Sequence, residues 1–238
     1  MRKKTVESVV AGVLVLVLGV ASAPARAEFS LKILRGQYSP HLRKMNAEFD
    51  EYWNNHWGTD FGFKAGAISG LALGCNVGPR FEIRLEAYSF ESKTGDTHHH
   101  ESWEDPLGVR EGYEYEDFKL TVIPVIVSGI YKFSPFYVGA GVGSFSSKLQ
   151  WTWEYNEYLN GFWMDSYSDS GGNSDTSSPG GLVVLAGFSF GDKPVSLNLE
   201  ARYVMLAKGK LEINCHTWDT EADLSGLQLS LLAGVTFR

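Results

Sequence analysis

The chain has 238 residues, enough for one sizeable domain, and carries 28 Asp and Glu against 21 Lys and Arg, a formal net charge of −7. So acidic a balance argues against a nucleic-acid partner. Hydrophobic residues make up 44 % of the chain, yet beyond the first 27 residues none gather into the roughly 20-residue apolar run that a membrane helix needs.

The N-terminus reads as an export signal. Arg2, Lys3 and Lys4 form a positive segment, Val9 to Val20 is an unbroken run of Val, Leu, Ala and Gly, and Ala25-Arg26-Ala27 is a small-x-small cleavage site. Cleavage there leaves Glu28 first and one domain, residues 28–238. It removes four basic residues and one acidic one, which takes the net charge to −10. The absence of a Cys after the apolar run argues against a lipoprotein anchor.

The mature chain then alternates apolar and polar residues in short runs, the period of a strand with one greasy face. Phe29, Leu31 and Ile33 begin a short first strand. Ser39-Pro40 is read as the cap and first turn of a helix over 41–54, because Leu42, Met45, Phe49 and Trp53 recur at three- and four-residue spacing. Phe61 to Cys75 sets Phe63, Ala65, Ala67, Leu71 and Leu73 against Lys64, Gly66, Gly70 and Gly74. Arg80 to Ser92 sets Phe81, Ile83, Leu85 and Ala87 against Glu82, Arg84 and Glu86. Phe118 to Phe133 is apolar on both faces, with Ile123, Val125, Val127, Tyr131 and Phe133 taken as the outer set. Val138, Ala140 and Val142 alternate with three glycines; Leu182 to Phe190 and Val195 to Leu206 follow the same rule. The last strand sets Leu227, Leu229, Leu231, Ala233, Val235 and Phe237 against Gln228, Ser230, Gly234, Thr236 and Arg238, with Leu232 out of phase. The count is eight strands.

The connections alternate in length. Asn76–Pro79, Ser134–Pro135 and Gly191–Pro194 are short turns rich in Gly or Pro. Between them lie long polar segments at about 37–60, 93–117, 150–180 and 209–222, the short-long plan of an outer-membrane barrel. Together with Pro135-Phe136-Tyr137-Val138-Gly139-Ala140-Gly141-Val142-Gly143 and the Phe237 ending, this makes the whole mature chain resemble the small eight-stranded outer-membrane β-barrel proteins, the OmpA/OmpX-like group. The resemblance implies an all-β, antiparallel, up-and-down transmembrane barrel with both termini on the periplasmic side. Two features depart from it: the chain ends in Arg238 rather than an aromatic, and the first long loop holds a helix. Cys75 and Cys215 fall at opposite ends of such a barrel, too far apart for a disulfide.

An eight-stranded barrel is just wide enough for side chains to fill it. The inward candidates are Lys64, Glu82, Arg84, Glu86, Glu200, Arg202 and Arg238, both signs in near balance, so the lumen is expected to close by ion pairs. In the loops, Trp151, Trp153, Tyr155 and Trp163 are divided between an aromatic girdle at the headgroups and a surface for recognising an external partner or sugar. His98-His99-His100 lies among carboxylates, but consecutive residues point in different directions, so no metal site and no cofactor is expected. Candidate catalytic pairs exist in composition, such as His56 with Asp60 or His216 with Asp219, and neither comes with a nucleophile motif. The expectation is a monomeric, non-enzymatic protein of the cell outer membrane, set in its lipid, with a structural or surface-interaction role. A narrow passive channel is the alternative, and a lipid-modifying enzyme the third.

Overall fold

The structure is a computed structural model that describes residues 28–57, 62–94, 97–173, 179–191, 194–213 and 218–237. The strands are β1 (Glu28–Pro40), β2 (Gly66–Asn76), β3 (Phe81–Lys93), β4 (Thr97–Asp105), β5 (Gly108–Phe133), β6 (Phe136–Leu159), β7 (Phe162–Asn173), β8 (Gly180–Phe190), β9 (Val195–Met205), β10 (Lys208–Ile213), β11 (Trp218–Asp223) and β12 (Gly226–Phe237), with one helix, α1 (Arg43–Trp57). Among the described residues, eight strands close on themselves in the order β1, β2, β3, β5, β6, β8, β9, β12, and β12 pairs back onto β1 from Phe29↔Phe237 to Pro40↔Gly226. Every neighbouring pair is antiparallel. This is the eight-stranded up-and-down barrel, and closure leaves no open edge in its wall.

The wall is inverted relative to a soluble barrel. Leu31, Ile33, Leu71, Leu73, Val127, Val142, Leu199, Leu229 and Leu231 are exposed on the outside, while Glu82, Arg84, Glu86, Glu200 and Arg202 are buried inside. Lipid is the solvent that makes this arrangement favourable, because the outer face then buries apolar surface and the inner face keeps the polar groups from it. Phe29, Phe81, Tyr131, Phe133, Phe136, Phe188, Phe190 and Phe237 ring the outside at the turn end; Phe136 and Phe188 meet edge to face at 4.9 Å. This is an aromatic girdle at the turn end, made of Phe and Tyr131.

Further up the wall the pattern reverses. On β6 the outward residues Val138, Ala140 and Val142 give way to Ser144, Ser146, Lys148 and Thr152, while the inward ones become Phe145, Leu149 and Trp151. On β5 outward Val127 and Ile123 give way to Thr121, Lys119 and Asp117, and inward Ser128 gives way to Ile126, Val122, Leu120 and Phe118. The reversal marks where the outer wall leaves lipid and meets water. It also explains why the Phe118 to Phe133 segment is apolar on both faces.

The long segments are not loops. β4 continues the line of β3 beside β5, and β7 continues the line of β8 beside β6, so four strands stand above the barrel as one sheet. The helix begins at Arg43, not at 41, because β1 runs on through Ser39 and Pro40, which pair with Leu227 and Gly226. Phe63 is not on the outer wall: it precedes β2 and is buried under α1, where Asn46 donates to its carbonyl at 2.9 Å and its amide donates to the Asn46 side-chain oxygen at 3.0 Å. Cys75 is a free thiol at the turn end of β2, and Cys215 lies outside the described residues.

Candidate functional site

The lumen has two layers. Near the turn end sits a buried charged cluster. Glu82 accepts from Lys32 at 3.1 Å, from Arg84 Nε at 2.8 Å and from Lys132 at 2.5 Å. Arg84 Nη1 also reaches Glu86 at 3.1 Å and Glu200 at 2.6 Å. Arg202 donates to Glu200 through Nε at 3.1 Å and through Nη2, and to Glu86 through Nη1. The Tyr137 hydroxyl donates to Glu200 at 3.0 Å, and the two guanidinium groups lie over the Tyr137 and Tyr88 rings at 5.6 and 5.8 Å. Sequence alternation places Glu82, Arg84, Glu86, Glu200 and Arg202 here together. Lys64 is not among them: it is exposed ahead of β2, its amide bonded to the Ser92 hydroxyl at 3.0 Å. The lysines of the cluster are Lys32 and Lys132. Arg238 lies outside the described residues.

Above the charges the lumen is apolar. Leu34, Ile68, Phe90, Val122, Phe145, Val183, Val204 and Leu232 belong to one buried cluster that fills the barrel toward its loop end. Met45 of α1 and Leu42 just before it, with Phe63, Leu211, Ala222 and Leu224, close it from above. Tyr38 packs edge to face on Phe90 at 5.2 Å and donates its hydroxyl to the Leu224 carbonyl. The first-loop helix is thus a lid on an apolar plug, which in turn sits on the ion-paired layer. That second, apolar layer had a signal in the sequence: Leu232 out of phase and the two-faced run before Phe133.

The protruding sheet is the other candidate. Trp151 is 8 % exposed and faces inward, its indole N–H donating to Glu116 at 2.6 Å; Trp153 donates likewise to Glu114. Trp153 and Tyr155 stack at 6.3 Å, and Tyr155 meets Tyr167 at 6.4 Å. Burial pushes the Glu116 carboxyl up to about 7, against the lowering effect of the Trp151 hydrogen bond. Trp151, Trp153 and Tyr155 therefore pack the inside of the sheet. The most exposed apolar groups of the sheet lie at its tip: Phe162 is 76 % exposed, Leu107 71 % and Trp163 60 %, beside Val109 and Met164, with Trp103, Tyr115 and Tyr167 exposed lower down. Asn160 ties the two hairpin ends together, accepting from the Val109 amide at 3.0 Å and donating to the Leu107 carbonyl at 3.2 Å. Arg110 clamps the same region between Asp105 at 3.0 Å and Glu157.

The tip stands well clear of the apolar wall. Fourteen residues separate Ile123 from Val109, which is about 45 Å along the strand and roughly 30 Å in height at ordinary barrel tilt. Residues 97–117 and 150–173 carry eleven Asp and Glu against the single Arg110, a larger excess than the −7 of the whole chain. His99 bonds Glu101 at 2.9 Å, and the His100 ring lies 4.6 Å from that of Tyr113; among the described residues no three His, Cys, Asp or Glu converge as metal ligands. The side chains of His56, Asp60, His216 and Asp219 lie outside what is described.

No family model matches the chain, and no curated protein matches it. Solved structures do. Neisserial surface protein A is 15 % identical, with 89 % of this chain and 97 % of that one covered at a TM-score of 0.40. The outer-membrane protein OprG of Pseudomonas aeruginosa is 13 % identical, with 89 % and 96 % covered at a TM-score of 0.47. Ail, the attachment invasion locus protein of Yersinia pestis, is 11 % identical, with 89 % and 97 % covered at a TM-score of 0.36.

Proposed function

We propose that the mature chain is a monomeric outer-membrane barrel that closes its own lumen and serves, without catalysis, as a platform for surface interaction. Residues 1–27 direct export and are cleaved from the exported chain. Eight strands put both termini on the periplasmic side and the acidic sheet outside the cell. The observation that carries the reading is the tip: Leu107, Val109, Phe162, Trp163 and Met164 exposed together on an acidic stalk. Exposed apolar groups rimmed by charge mark a contact site, and the carboxylates favour a partner whose own rim is basic. The alternative, a narrow passive channel, requires water to cross the apolar layer from Leu34 to Leu232.

The test uses the protein in zwitterionic lipid discs against immobilised basic and acidic soluble proteins. Retention of the basic set, weakening with salt and lost in Phe162→Ser/Trp163→Ser, supports the reading. Equal retention of acidic proteins, or no effect of the double substitution, overturns it.

A further inference from the structure

The turn end of the barrel opens into a cavity of about 690 Å³ whose floor is the charged cluster. Four cations line it, Lys32, Arg80, Arg84 and Lys132, against one carboxylate, Glu82. That carboxylate is already saturated, since Lys32, Arg84 and Lys132 all donate to it. Glu86 and Glu200 lie behind the floor and are shared between Arg84 and Arg202. Counted together among the described residues, the cavity and the cluster hold five cations (Lys32, Arg80, Arg84, Lys132 and Arg202) and three carboxylates.

The fully buried groups balance, Lys32, Arg84 and Arg202 against Glu82, Glu86 and Glu200, so the surplus of two is carried by the half-buried Lys132 and the exposed Arg80 at the mouth, where it draws a counter-charge from solvent. The walls are suited to receive one. Ser30, Ser189, Ser196, Thr236 and Asn198 line the cavity with neutral hydrogen-bonding groups. The Ser30 hydroxyl is buried and has no hydrogen-bond partner. Arg80 stands exposed at the mouth, where its guanidinium is within 3.3 Å of the Tyr131 hydroxyl.

We infer that this vestibule is a binding site for a doubly charged oxyanion of the phosphate class, entering from the turn end. The surplus of two cations matches a dianion better than a single carboxylate, and the volume exceeds a lone phosphate, so a small phosphate monoester fits as well. The site is independent of the surface reading above: it lies at the opposite end of the barrel and shares none of its residues.

The experiment is amide NMR on the protein refolded in neutral detergent, in low-salt buffer free of phosphate. It is titrated separately with inorganic phosphate, glycerol 3-phosphate, acetate and chloride. The expected result is saturable shifts at Ser30, Lys132 and Asn198 with either phosphate species, at least tenfold weaker with acetate. Tighter binding of glycerol 3-phosphate than of phosphate would support a monoester, and equal or weaker binding the free ion. Arg80→Gln, which leaves the Glu82 pairs intact, should weaken binding with the spectrum otherwise unchanged; Lys132→Gln, which also removes one donor to Glu82, should weaken binding with shifts confined to the residues around Glu82. Shifts that never saturate, shifts that map away from the vestibule, or binding undiminished in both variants overturn the inference.

Discussion

Replacing Glu200 with Leu should be among the most damaging single changes in the barrel. Glu200 is buried and accepts from Arg84 at 2.6 Å, from Arg202 at 3.1 Å and through a second guanidinium nitrogen, and from the Tyr137 hydroxyl at 3.0 Å. Charge-assisted bonds contribute roughly 1.5–3 kcal/mol each. The losses do not simply add, because Arg84 keeps Glu82 and Glu86 and Arg202 keeps Glu86. Removing one partner of a buried network costs about 3–5 kcal/mol, since the remaining charge stays buried and less compensated. Urea unfolding of the protein in lipid vesicles, followed by tryptophan fluorescence, measures this. Glu91→Gln is the control, because Glu91 pairs with Lys119 at 3.0 Å on the exposed outer rim and such pairs contribute about 1 kcal/mol or less. If Glu200→Leu cost no more than Glu91→Gln, the charges would be screened by water and the closed lumen refuted.

Leu229 faces lipid on β12 with half its surface exposed, so Leu229→Arg should cost roughly 2–4 kcal/mol in the same assay, well beyond Leu229→Ala. Gln228, one residue away, is fully buried opposite Arg202; Gln228→Arg adds a cation beside an existing one and should also destabilise, whereas Gln228→Leu should be tolerated. Glu116 holds its proton up to about pH 7 in the folded sheet, against 4.5 in an ordinary carboxyl. The folded state therefore binds more protons between those values, and sheet stability should fall as pH rises from about 4.5 to 7 and stay low above it. Hydrogen exchange of the β5 and β6 extensions at pH 5 and pH 8 checks this, and Glu116→Gln should flatten the difference; a sheet better protected at pH 8 would contradict the sign.

Much of the wall could be read from alternation alone. Phe81 to Ala87, Leu197 to Tyr203 and Leu227 to Phe237 each put their apolar residues on the lipid face, and Leu232 turned out to point into the lumen. Alternation sorts residues into two faces but does not say which face is inside. At Trp151 and Trp153 the environment had already changed from lipid to water, so the apolar face had moved inward and the tryptophans with it. Lys64 failed for another reason. Counting by twos from Phe61 assumed a strand that begins only at Gly66. Lys32 was legible in principle, since it alternates with Leu31 and Ile33 in a first strand that proves to be 13 residues long rather than short. The helix start was misplaced because a Ser-Pro cap is a local preference, and the β1–β12 ladder extends through Ser39 and Pro40 against it.

The central claim is that the lumen is sealed twice, by the ion-paired layer around Arg84 and Arg202 and by the apolar layer from Leu34 to Leu232. Recording from the wild-type protein in planar lipid bilayers tests it most directly. The account predicts no steady conductance in symmetric salt, with or without phosphate at the turn end. A stable, reproducible open level in the wild type would contradict it and favour the channel.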